Sequence, residues 1–359
     1  MHFGEELGDE RLMALYRPDD RIQTVLTADT YGQGEADTLL GRALDGLARD
    51  SYCLVGAVGH DFYEGERQGA KGFPRFTDPT LRGPEEYASY LRMAAERSLE
   101  RIGVDSFDVL LLHNPDRTGY TSEQVWDGMR ALREDRLTRL IGVAPGPANG
   151  FTLDLIECFE RFGEAIDWAM VILNPLEPWP GELVLPAAER HAVNLITRVV
   201  DYGGLFHDDV LPGHEFPRFD HRSFRPAGWV DAGREKLERL RPIAERHGLT
   251  MLQLACAWNL AHGPVTTVVP TLIQESGPEA KSVEEKREEL AGLPEVDLSA
   301  DEVAEIRAIG DNTNCMALKG ASPEHEGDVQ PDRWPLNDDL VEVAQRWDIH
   351  PGEDLVQLH

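Results

Sequence analysis

The chain has 359 residues and a formal net charge of −30 at pH 7, with 41% apolar and 28% charged side chains. That length suits one large α/β domain or two smaller ones, and the apolar share is enough for a full core. So acidic a chain excludes partners that need a basic surface, which means nucleic acid and acidic membranes.

No apolar run approaches the length of a membrane span. The N-terminal stretch MHFGEELGDERL is acidic and lacks the basic start and apolar core of a signal peptide. Cys53, Cys158, Cys256 and Cys315 lie far apart, with no CxxC pair and no zinc spacing. Three of them fall in apolar segments, as buried thiols of a reducing compartment do, and a cytoplasmic location is expected.

Taken in order, apolar or β-branched runs occur at residues 22–27, 52–58, 109–112, 140–143, 169–173, 193–200 and 266–269. Amphipathic patterns fill the intervals at 35–48, 85–101, 122–136, 154–161, 231–247, 251–262 and 283–290. Strands alternating with helices at this interval imply a parallel sheet covered on both faces. Seven such strands favour a (β/α)8 barrel over a doubly wound sheet, and the GQG of residues 32–34 lacks the spacing of a dinucleotide fingerprint. The eighth strand is the difficulty. Only His2 and Phe3 precede the acidic start, so the first strand is either a stub or missing.

The run FDVLLLHNPD reads as a fully buried strand with a polar tip. His113 follows it directly, and in alternating barrels chemistry sits at the C-terminal ends of strands. Two long insertions, residues 60–83 and 205–229, leave the same ends and are expected to overhang that face. After residue 312 the chain reads as a tail with a short amphipathic helix near 338–347. Trp334 and Trp347 suggest that the tail (313–359) docks, either on the barrel (1–312) or on a partner subunit in a homo-oligomer.

Several stretches together resemble the aldo-keto reductase superfamily. They are TADTYGQGEADTLLGRAL (27–44), SLERIGVDSFDVLLLHNPD (98–116), GMRALREDRLTRLIGV with the following LIGVAP strand (140–145), and QLACAWNLAHGPVTTVVP (253–270). The resemblance spans residues 10 to 312. It implies a (β/α)8 TIM barrel with its first strand truncated or missing and long loops on the C-terminal face. It also implies NADP- or NAD-dependent reduction of a carbonyl by an Asp, Tyr, Lys and His tetrad. Tyr31 matches the proton-donating tyrosine and His113 the substrate-orienting histidine. Leu26 stands at the aspartate position and Ala57 at the lysine position, while Asp29 is three residues off register. A lysine ammonium lowers a phenol's pKa by favouring the phenolate, so its loss leaves the tyrosine without its tuning partner.

The positions that resemblance assigns to the cofactor differ as well. Ala144 and Pro145 replace a Ser-Asn pair, Met170 replaces a glutamine, and Arg198 takes the place of a stacking tyrosine. In the segment 270–290, Lys281, Ser282 and Arg287 are the candidates for the 2′-phosphate, though acidic residues surround them.

Each candidate has a plainer explanation. Tyr31 and His113 are an acid–base pair or packing relics. Arg198 ends a buried strand and needs an anion, either a substrate carboxylate or phosphate or the nearby Asp201. His60 and Asp61 either stand in for the lost lysine and aspartate as substrate-binding residues or belong to a polar loop. His207, His214 and His221 recur every seven residues, but loop spacing does not fix ligand geometry, so no metal is expected. Three readings stay open: a reductase with altered cofactor contacts, a cofactor-independent lyase, isomerase or dehydratase of a sugar-like molecule, or a non-catalytic binding protein.

Overall fold

The computed structural model describes residues 3–69, 72–146, 151–217, 220–313 and 336–355. Seven strands carry the fold: β1 (Thr24–Leu26), β2 (Cys53–Val58), β3 (Phe107–His113), β4 (Thr138–Ala144), β5 (Trp168–Ile172), β6 (Asn194–Arg198) and β7 (Val265–Val269). They lie side by side in chain order and every neighbouring pair is parallel. Each falls on one of the seven apolar runs.

Parallel neighbours need crossovers, and helices supply them. In chain order they are α1 (Asp9–Tyr16), α2 (Glu35–Leu44), α3 (Tyr87–Ile102), α4 (Arg117–Thr121), α5 (Glu123–Glu134), α6 (Thr152–Phe162) and α7 (Leu185–Arg190). Then come α8 (Trp229–His247), α9 (Met251–Leu260), α10 (Val283–Ala291), α11 (Ala300–Gly310), α12 (Asp338–Arg346) and α13 (Pro351–Asp354).

Side chains alternate across β3, which explains its unbroken apolar run. Val109 and Leu111 turn inward with Val55, Ala57, Met170 and Ile196 to fill the barrel. Leu110 and Leu112 turn outward into the larger core under the helices. Leu26 packs against the inner cluster and Ala57 is part of it. Apolar contacts therefore fill the positions where the family has a buried carboxylate and ammonium.

The fold is that of a (β/α)8 barrel in which, among the described residues, no strand precedes β1, so that β1 and β7 are the two ends of the sheet. Near the chain's start, the Gly4 N–H donates to the Asp220 carboxylate (2.7 Å) and the Glu5 N–H to the Gln274 carbonyl (2.8 Å). The chain then descends outside the barrel as α1, which buries no residue and is held by charge, with Arg11 on Glu284 (2.6 Å) and Asp9 on Arg42 (3.1 Å). Behind it the missing strand leaves a cavity of about 580 Å3 lined by Leu26, Val55, Ile196, Val269, Leu290 and Tyr31.

Among the described parts of the tail, α12 lies on α6. Leu340 and Val343 are fully buried, and the Trp347 indole donates to Glu160 (2.9 Å). Trp334 and Cys315 lie outside the described residues.

Candidate active site

The site gathers at the C-terminal ends of β2, β3 and β6. His113 is the last residue of β3, in register with Ala144 of β4. It is 8% exposed, and its Nδ1 has no hydrogen-bond partner. Burial, followed by the charges of His60, Arg198 and Arg75, holds its pKa well below that of free histidine. It is a neutral imidazole.

Gly59 lets β2 hand the chain to His60 at close range. A Cβ on Gly59 would stand 2.7 Å from the His113 carbonyl oxygen. The His60 ring lies 5.1 Å from that of His113 at an angle of 71°. Its Nε2 faces the Asn114 side-chain amide (3.0 Å) and its Nδ1 the Phe73 carbonyl (3.0 Å). Those partners assign Nδ1 as donor and Nε2 as acceptor. The Arg75 guanidinium lies 3.0 Å from Nδ1, which in that tautomer offers it no acceptor, and donates to the Asn114 carbonyl. Burial, and then Arg75, pull the His60 pKa down to about 4.

Tyr31 opens the turn after β1 and is 50% exposed. Its ring meets that of His113 edge-on, with centroids 5.8 Å apart at 87°. Arg198 closes β6. Its Nη2 donates to the carbonyls of Pro145 (3.1 Å) and Gly146, and its Nε is sealed from solvent without a partner.

Tyr31, His113, His60 and Arg198 thus come together, and Asp61 and Asp201 do not join them. Asp61 turns away into a buried pair with Arg82 and accepts the N–H groups of Tyr63 (3.0 Å) and Glu64 (2.9 Å). Of the partners open to Arg198, Asp201 is not the one: the pair does not form. Val199 and Tyr202 both have positive φ (59° and 47°), which swings Asp201 behind the strand end. There it accepts the N–H groups of Gly204 (2.8 Å) and Thr271 (2.6 Å). The three insertion histidines also separate: His207 bonds to the Thr271 carbonyl, His214 stands 3.1 Å from Glu275, and His221 stacks on Phe3. Asp29, near the family's aspartate position, is fully buried and neither carboxyl oxygen finds a partner. Burial, and next Asp37, push its pKa well up, so it is a neutral acid.

Asn114 and Arg75 escaped the sequence reading. Asn114 was within reach, because it directly follows His113 in the HNP triplet. Arg75 was not, since it arrives from a loop with no periodicity to read.

The residues after β7 are already committed. Lys281 pairs with Glu289 (3.3 Å), Ser282 caps α10 at the Glu285 N–H, and Arg287 binds Asp19 (2.7 Å) and the carbonyls of Leu15 and Arg17. Lys286 is buried on Asp209 (2.6 Å), and Arg222 lies between Asp220 and Glu275. Each cation there has its own carboxylate, and Asp201 ties the loop after β6 to the segment after β7. A phosphorylated nicotinamide dinucleotide held by Lys281 or Arg287 would exchange their present carboxylate partners, Glu289 and Asp19, for its phosphate.

The sequence pattern of the aldo/keto reductase family matches residues 19–311, and the chain belongs to that family. An aldo-keto reductase of Mycolicibacterium smegmatis is 29% identical over 246 residues, covering 65% of this chain and 73% of that protein. The glycerol dehydrogenase of Gluconobacter oxydans shares the fold with a TM-score of 0.63 and 21% identity, over 84% of both chains. A Klebsiella pneumoniae aldo-keto reductase solved in complex with NADPH gives a TM-score of 0.54 at 20% identity, covering 89% of this chain and 92% of that one.

Proposed function

We propose that the protein is an enzyme acting on the carbonyl or hydroxyl group of a small, sugar-like molecule, by proton transfer without a change of redox state. The observation that carries this reading is the pair of Tyr31 and His113, edge-on at 5.8 Å over an apolar barrel interior. The Tyr31 oxygen takes the proton from the carbon beside the carbonyl, the electron pair moves onto the carbonyl oxygen as an enolate, and Tyr31 returns a proton to complete the cycle. His113, neutral through burial, donates a hydrogen bond to the enolate oxygen, as a neutral imidazole does in other barrels. Leu26 and Ala57, in place of the family's charged pair, support a reaction other than reduction.

Family membership favours a second reading, reduction by NADPH. Calorimetric titration with NADPH and NADH separates the two, run beside solvent-deuterium exchange into small hydroxyketones followed by NMR. The first reading expects no saturable cofactor binding at millimolar concentration, and exchange that Tyr31→Phe abolishes. Micromolar cofactor binding coupled to carbonyl reduction would overturn it.

A further inference from the structure

Arg198 is out of keeping with its surroundings. Buried charges are normally paired, because an isolated ion loses its hydration without compensation. The chain has 65 acidic residues, and its fully buried cations follow the rule: Arg82 has Asp61, Arg222 has Asp220 and Glu275, and Lys286 has Asp209, whereas Arg198 is half-buried. Among the described residues, no carboxylate lies within ion-pair distance of Arg198. Its Nη2 is used on two carbonyls, which anchors the guanidinium plane but does not neutralise it. The acid nearest in sequence, Asp201, is turned to Gly204 and Thr271, and the carboxylate whose charge Arg198 feels is Glu177, beyond ion-pair distance.

The guanidinium also borders free space. A cavity of about 30 Å3 lies against it, lined by Pro145, Gly146, Met170 and Ile172. That is room for a water-sized polar group beside the guanidinium. Tyr31 and His113 stand near enough to feel its charge. A second buried atom, His113 Nδ1, also lacks a partner. The anchor on Pro145, next in the chain to the Ala144 that stands in register with His113, therefore sets a fixed cation beside the reactive pair.

We infer that Arg198 is a carboxylate-binding residue, and that the molecule received at Tyr31 and His113 is a hydroxy- or oxo-carboxylate such as a sugar acid, not a neutral sugar. The guanidinium plane, fixed through Nη2 by two carbonyls, meets a carboxylate oxygen with its remaining Nη1 group, a geometry that an ammonium cannot copy. The inference rests on the proposed site for its reactive end. Anion binding itself does not depend on turnover.

The test is calorimetry of the full chain with acetate, glycolate, pyruvate and D-gluconate, against D-glucose and glucose 6-phosphate as controls. At least one carboxylate should bind where glucose does not. Arg198→Gln should weaken it roughly 10- to 100-fold, with Arg198→Lys in between. Tyr31→Phe should leave it bound. Because Arg198 also anchors the Pro145 and Gly146 carbonyls, its variants risk local misfolding. A wild-type readout covers that risk: the bound carboxylate should protect Arg198 from phenylglyoxal, mapped by mass spectrometry. No carboxylate binding at tens of millimolar, glucose binding as well as gluconate, tighter binding of the phosphate ester, or unprotected Arg198 would each overturn the inference. Arg198-dependent binding without turnover of any acid would instead count against the proposed catalysis and leave the anion site standing.

Discussion

Acidification from pH 6.5 should destabilise this protein well before its carboxylates titrate, and His60 should be a main cause. The ring is 7% exposed and titrates at about 4 in the folded chain, against 6.5 for the free side chain. A group whose folded pKa is depressed binds its proton more readily when unfolded. The unfolded chain therefore gains as the pH falls through the window from 6.5 to 4. Across the whole window His60 alone costs about 3 kcal/mol, and about 2 kcal/mol of that is spent by pH 5. His113 acts in the same direction. Asp29 acts in the opposite one, because its raised pKa favours the folded state at low pH and that gain fades as the pH rises. Urea unfolding of the wild type and of His60→Asn, each at pH 6.5 and pH 5.0, isolates the histidine. The variant should lose about 2 kcal/mol less than the wild type between the two conditions, whatever its absolute stability. Equal losses, or an imidazole midpoint near 6.5 by NMR, would refute the argument.

Two substitutions test the packing behind the site. Arg101 reaches the fully buried Asp37 (2.9 Å), which also accepts the hydroxyls of Thr27 and Ser98 (2.8 Å each). Arg101→Met should cost about 3–5 kcal/mol in urea unfolding by leaving that carboxylate uncompensated, whereas Arg92→Met, which removes an exposed partner of Asp135, should stay within about 0.5 kcal/mol. Gly142→Ala would bring a Cβ to 2.1 Å from the Trp168 carbonyl between β4 and β5. A loss of about 3 kcal/mol is expected, and unchanged stability would show that the two strands can part without cost.

The strands were legible because a parallel sheet covered on both faces leaves unbroken apolar runs, of which Val109 to Leu112 is the clearest. The longer helices packed on them were legible from the 3.6-residue period, whereas α4 and α7, of five and six residues, were too short to show it. Helix α1 was not, because a helix that buries nothing carries no apolar stripe. Helix α11 begins with a readable capping box, Ser299 with Glu302, but only two of its residues are buried, so its apolar signal is weak. At the site, Tyr31 and His113 could be named because strand ends are marked in the chain. Asp61 and Asp201 could not be placed correctly. Their directions depend on Arg82, 21 residues further on, and on two residues of positive φ, neither of which periodicity records. The solitude of Arg198 was beyond the sequence too, since it consists of what the fold fails to bring near.

The absent first strand also changes how the molecule can come apart. In a closed barrel each strand is locked by two neighbours, and no place is privileged for opening. Here the hydrogen-bonded ring is cut. β1 contributes three residues in register with β2, while six positions of β3 and β4 are matched at the centre of the sheet. Amide protons should accordingly exchange on a gradient, slowest in β3 and β4 and faster toward each side of the seam, where peeling one short strand uncovers the barrel interior without disturbing the opposite wall.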